Sequence, residues 1–68
     1  MSYERTIAES YRVRAEEIRT IAEMDGNAQT REALERIATD YEKMAASMDG
    51  IAETNERMRV PRNFDTTT

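Results

Sequence analysis

The sequence contains no cysteine, no histidine and no tryptophan. Without cysteine no disulfide forms, and without cysteine and histidine the usual structural zinc sites cannot be built. The di-iron helical bundles are excluded too, because they need Glu-x-x-His pairs. The chain has 68 residues, and a single core in a domain of that size rarely supplies more than about 3–5 kcal/mol. Oligomerisation is the supplement that this composition leaves open.

Long hydrophobic runs are also missing. No window approaches the roughly 18 apolar residues that span a membrane, and the opening stretch "MSYERTIAES" is charged and has no long apolar run. We therefore expect no targeting segment, no membrane partner and a cytoplasmic location. The net charge of −4 gives no basic footprint for nucleic acid across the whole chain.

The parts of a catalytic site are scarce as well. The sequence has no Gly-rich phosphate loop and no G-x-S-x-G motif, and surface carboxylates are its only acids and bases near neutral pH. We expect no enzyme activity, no catalytic residue, no cofactor, no bound metal and no small-molecule substrate.

What the sequence does contain is a helical heptad pattern in its first third. The a and d positions of this helix read Ala8, Tyr11, Ala15, Ile18 and Ala22. Extended past Gly26, the same register would place only polar residues in the core, namely Gln29, Glu32, Arg36 and Thr39. The pattern therefore predicts a helix over about 2–24 and a turn at 25–27. Gly26 suits a left-handed closing position, and Asn27 suits the N-cap of the next helix.

A second heptad register starts at Leu34 and is apolar at seven of its eight a and d positions. It runs through Asp49 and Gly50, which predicts one helix over about 28–59, bent or frayed at Gly50 and ended by Pro61. The expected fold is all-α: an antiparallel two-helix hairpin in a single domain of residues 1–60, with a short flexible tail at 61–68.

The unequal helices predict self-association. Folding about residue 26 leaves everything beyond about residue 52 past the end of the first helix, so that Asn55 and Met58 lack a partner in the chain. A row of alanines beside the second seam widens its apolar face beyond what one neighbour covers. We expect a homodimeric four-helix bundle, or a tetramer, in which Asn55 sets the register or is solvated. The predicted interface comprises Tyr11, Ile18, Leu34, Ile37, Ala38, Tyr41, Met44, Ala45, Met48, Ile51, Ala52, Asn55 and Met58.

Charged residues follow the same repeat. Arg5, Arg12 and Arg19 recur by sevens at position e of the first helix, and the second helix has an acidic row at position b that comprises Glu35, Glu42, Asp49 and Glu56. Two interpretations stay open. The arginines belong to a solvated face with pairs inside one helix, or they form a charged contact stripe for a neighbouring helix.

For function, the sequence favours a small non-catalytic protein that associates with itself and acts as an interaction or scaffold module. One alternative is a hairpin dimer that binds RNA through Arg57, Arg59 and Arg62, which is disfavoured because Glu53 and Glu56 lie beside them. The other is a regulator whose Met/Ala groove accepts a helix of another protein.

Two segments carry a family likeness: "YRVRAEEIRTIAE" at 11–23 and "TREALERIATDYEKMA" at 30–45. Together they resemble a group of short alphaproteobacterial proteins of rhizobial type, which read Y-R-x-R-A-E-E-x-R, then Asp-Pro and R-x-x-L-x-x-I-A-x-D-Y-E-x-[LM]-A. Here Asn27-Ala28 stands where that pattern has Asp-Pro. The resemblance implies a bacterial helical hairpin and no particular activity.

Overall fold

The chain folds into two helices packed side by side. The computed structural model describes residues 2–65, with side chains described over residues 2–58. Helix α1 spans Tyr3–Met24 and helix α2 spans Ala28–Asp65, and no strand occurs within this described part. The Cα atoms extend over 64 × 16 × 8 Å, which is one layer of two helices. The all-α two-helix prediction is confirmed.

Both helix starts are capped by side chains, as local chemistry dictates. The Ser2 hydroxyl accepts a hydrogen bond from the backbone N–H of Arg5 at 3.0 Å. The Asn27 side-chain oxygen accepts one from the N–H of Thr30 at 3.0 Å, which confirms Asn27 as the N-cap of α2. Each bond satisfies an amide that has no partner inside its helix.

The turn at 25–27 forms without a left-handed residue. No glycine among the described residues has a positive φ, so the prediction of a left-handed Gly26 is wrong. Asp25 ends α1 in an extended conformation instead, and its N–H donates to the carbonyl of Ala22 at 3.2 Å. Its carboxylate then accepts from the N–H of Asn27 at 2.8 Å. This Asx-type bond bends the chain and removes the need for a glycine conformation.

Helix α2 is continuous through Gly50, as predicted, but it does not end near residue 59. It continues through Pro61 to Asp65, so the expected helix end and the expected start of a tail at residue 61 are wrong. Proline lacks the N–H that would bond to the carbonyl of Arg57, so α2 passes this residue with one backbone hydrogen bond fewer. Residues 66–68 lie outside the described residues.

The core of the hairpin is a seam of alanines. Among the described side chains of residues 2–58, six are at most 1% exposed, and no larger side chain is fully buried. These six residues are Ala8, Ala15 and Ala22 of α1 and Ala38, Ala45 and Ala52 of α2. Alanine every seventh residue on both helices lets the two backbones approach closely. The expectation that a second hairpin covers the alanine row of α2 is therefore wrong, because α1 already buries it.

The overlap of the helices is longer than predicted. Arg5 contacts Glu56, and the Asn55 side-chain amide donates to a carboxylate oxygen of Glu4 at 3.3 Å. Asn55 thus has a partner within its own chain, contrary to the expectation from the sequence. Only the part of α2 beyond Glu56 extends past the start of α1.

Candidate interaction surface

The alanine seam divides the hairpin into two chemically different faces. Around α1, position e lies on one side of the alanine row and position d on the other, because successive residues are 100° apart. Around α2, whose alanines occupy position e, the acidic b row lies on one side and the a and d rows on the other. The antiparallel packing joins the arginine row to the acidic row, and the remaining apolar rows share the opposite face.

The charged face begins at the open end of the hairpin with Arg5. Its Nε donates to Glu56 Oε2 at 3.2 Å and its Nη2 to Glu56 Oε1 at 3.1 Å. The same guanidinium lies 3.6 Å from a carboxylate oxygen of Asp49. A bidentate contact of this kind matches the planar guanidinium to the planar carboxylate. Arg5 therefore joins two residues of α2 that lie one heptad apart, Asp49 and Glu56, to the first turn of α1.

The next two arginines repeat this contact along the face. Arg12 pairs with Asp49. Arg19 contacts both Glu42, with Nη2 to Oε1 at 3.0 Å, and Glu35, with Nε to Oε1 at 3.3 Å. All three predicted arginines and all four predicted carboxylates meet in this ladder, so the neighbouring helix that the stripe contacts is α2 of the same chain.

The ion pairs of this ladder shift the pKa values of several of its side chains. The hydrogen bond from Arg19 lowers the pKa of the Glu42 carboxyl. In the reverse direction, the hydrogen bonds with Glu42 and Glu56 raise the pKa values of Arg19 and Arg5, respectively. The three arginines thus pair with four carboxylates within the chain, which leaves the ladder with a net charge of −1. A phosphate backbone would have to displace carboxylates that these arginines already bind.

The opposite face is apolar. Tyr11 and Tyr41 pack across the two helices with their ring centroids 5.8 Å apart and their planes tilted by 43°. Ile18, Leu34 and Met48 are half-buried beside them. The d row of α2 remains the most open part of this face: Ile37 is 44% exposed, Met44 40%, Ile51 48% and Met58 60%.

One polar pair interrupts this face at the open end of the hairpin. Glu4 occupies a d position one heptad before Tyr11, and Asn55 occupies an a position of α2. Their side chains are joined by the 3.3 Å hydrogen bond. The role of Glu4 was missed at the sequence level, although its d position in an otherwise apolar row is the signal that identifies it.

The rest of the described surface offers little for small ligands. A shallow groove of about 610 Å³ runs along the outer side of α1 past Thr6, Ser10 and Val13, and it opens broadly to solvent. The described side chains, those of residues 2–58, include no group of three or more that would hold a metal ion. No described helix has both the length and the apolar character needed to cross a membrane.

Comparison with known proteins yields no relative. The chain matches no protein-family model, no curated protein and no solved structure. The likeness carried by residues 11–23 and 30–45 therefore stays a prediction, and a functional proposal has to rest on the two faces of the hairpin.

Proposed function

We propose that this protein is a small non-catalytic module that associates with itself through its apolar face, forming a homodimeric four-helix bundle that serves as an interaction or scaffold unit in the cytoplasm. The observation that carries the proposal is the exposed d row of α2. Ile37, Met44 and Ile51 are each at least 40% exposed, whereas the fully buried side chains among residues 2–58 are all alanine. Large apolar side chains in a regular row are typical of a surface that another helix covers.

The size of the apolar face suits a dimer. The face is as long as α1, whose 22 residues span about 33 Å, and as wide as two helices, about 20 Å. Pairing two such faces would bury about 1,300 Å² in total, which lies within the range of roughly 1,200–2,000 Å² for stable specific interfaces.

The weakness of the single hairpin favours a partner that is always present. Each buried alanine methyl contributes about 0.8 kcal/mol, whereas ordering each residue costs about 1–2 kcal/mol of backbone entropy. A second copy of the chain can supply the missing apolar contacts, and it is present wherever the chain itself is present. We therefore assign the face to a second copy and not to a helix of another protein.

Nucleic-acid binding has no comparable support on the described surface. Arg5, Arg12 and Arg19 are engaged by carboxylates, and Arg57 pairs with Glu53 at 3.0 Å. We expect no binding to labelled RNA or DNA at tens of micromolar protein in low salt, because few phosphates would be neutralised.

Sedimentation equilibrium over a concentration series, combined with circular dichroism, tests the homodimer. Replacing Met44, at the centre of the d row, by Glu removes one buried side chain from each copy. Since burying a side chain of this size contributes about 1.5–3 kcal/mol, the dissociation constant should rise at least about 100-fold. The matched control is Ala46→Glu, which adds the same charge at an exposed position on the outer side of α2, and it should dissociate like the unmodified protein.

Two results would contradict the homodimer. The first is an unmodified chain that is fully helical and monomeric at tens of micromolar, which would transfer the apolar face to a different protein. The second is a Met44→Glu variant that dimerises as tightly as Ala46→Glu, which would place the contact elsewhere on the hairpin.

A further inference from the structure

We propose that the two hairpins of the dimer pair with their turns at the same end, and that the Glu4–Asn55 pair determines this arrangement. The inference rests on the proposed homodimer and adds the orientation of the second copy. It uses one observation that the dimer itself does not need, namely a hydrogen-bonded polar pair at the open end of the apolar face.

A face-to-face dimer with twofold symmetry has two possible arrangements. When the axis runs along the helices, the turns lie at the same end and α1 stacks on α2 of the second copy. When the axis crosses the helices, the turns lie at opposite ends, α1 stacks on α1 and α2 on α2. Stacked helices are antiparallel in both cases, so helix dipoles do not discriminate between them.

Opposite turns would place unlike groups against each other. If the two α1 helices overlap completely, Glu4 of one copy lies opposite Asp25 of the second copy, and this approach of two carboxylates occurs twice. On α2, Asn55 lies opposite Leu34 of the second copy. A polar side chain placed against an apolar one and like charges in proximity both disfavour association.

Turns at the same end would instead place like groups together. Because α1 then stacks on α2 of the second copy, Glu4 lies beside a second Asn55, and the four polar side chains form one layer at the open end. The two Glu4 side chains are diagonal to each other in this layer. Near the turn end, Ile21 lies about one turn from the level of Leu34 of the second copy, and a polar layer at one defined position is a known means of selecting helix orientation.

The exposed end of α2 agrees with this choice. Met58 continues the d row and is 60% exposed. With opposite turns it would face the polar start of α2 of the second copy, near Thr30. With turns at the same end, the Met58 side chains of the two copies belong to the same end of the bundle, next to the polar layer.

The absence of cysteine allows single spin labels and pulsed electron spin resonance. Gly26→Cys places a label in the turn, where an added Cβ meets no atom within 4 Å. Turns at the same end should give a label distance of about 15–30 Å, and turns at opposite ends about 35–50 Å. Ala46→Cys is the control, because this exposed residue near the middle of α2 should give about 20–35 Å in either arrangement.

The outcomes separate the two proposals. If Ala46→Cys shows no distance and the protein sediments as a monomer, the proposed homodimer fails and the inference fails with it. If Ala46→Cys shows a distance and Gly26→Cys shows only the long one, the homodimer stands and the orientation is overturned.

A second variant tests the cause of the orientation. Replacing Glu4 and Asn55 together by leucine removes the polar layer. A spin label at Gly26→Cys in this double variant should then show both the short and the long distance. A double variant that dimerises and shows only the short distance would overturn the role assigned to the polar pair.

Discussion

Overpacking the alanine seam tests the close approach of the two helices. Ala45 is 0% exposed and lies at the middle of the three alanines of α2. Replacing it by leucine adds three carbon atoms where the backbones of α1 and α2 approach each other. The helices then have to separate, or leucine has to adopt a strained rotamer.

The expected loss is large for a chain of this size. Overpacking a well-packed core costs about 1–3 kcal/mol, and a single core of this size supplies about 3–5 kcal/mol. With a urea dependence of about 1–2 kcal/mol per molar for a small protein, the unfolding midpoint should fall by about 0.5–3 M. We expect Ala45→Leu to lose about a fifth or more of the free energy of unfolding.

The assay is urea unfolding followed by circular dichroism at one fixed protein concentration, because association contributes to the apparent stability. The control is Ala46→Leu, one residue further along the same helix but exposed. Leucine and alanine are both strong helix formers, so this control should unfold within about 0.5 kcal/mol of the unmodified protein. Equal midpoints for the two variants would refute the seam as the core of the hairpin.

Two further predictions concern α2. Gly50→Ala should raise the free energy of unfolding by about 0.5–1 kcal/mol in thermal or urea unfolding, because Gly50 lies inside a continuous helix and an added Cβ meets nothing within 4 Å; a loss of stability would show that the helix is interrupted there. The lowered pKa of Glu42 means that this carboxylate stabilises the fold above the ordinary carboxyl value of about 4.3, and that this contribution is lost as the pH falls through and below that value. Glu42→Gln should therefore unfold with a weaker acid dependence between pH 5 and about 3 than the control Glu9→Gln, and equal acid dependence would contradict the pairing with Arg19.

Local patterns in the sequence were sufficient to predict the two helices and the N-cap of α2. The register that breaks after Gly26 placed the turn correctly, and the side chain of Asn27 made the capping bond expected of it. Such signals act over three or four residues, and over that distance the backbone geometry of a helix start does not depend on the rest of the fold. The two errors, a left-handed Gly26 and a helix end at Pro61, arose where more than one local conformation satisfies the same residues.

The sequence predicted the two charged rows of the ladder but not which helix the arginine row contacts. The arginine row and the acidic row were both evident as repeats of seven, and the partner helix was left open. Only the folded chain shows that Arg19 contacts Glu35 and Glu42 of its own α2. Because both rows repeat every seventh residue, a shift of one heptad would form similar pairs, so the short turn at 25–27 has to select the register.

The sequence by itself determined that this protein is two amphipathic helices joined by a short turn, because hydrophobic period, capping residues and turn chemistry are properties of neighbouring residues. Only the tertiary structure decided which apolar row of α2 faces α1. The alanine row and the d row containing Met44 lie about 100° apart on one helix, and one neighbouring helix cannot cover both. Packing against α1 buried the alanines, whose small side chains allow the closest approach, and left the isoleucines and methionines exposed on the other face.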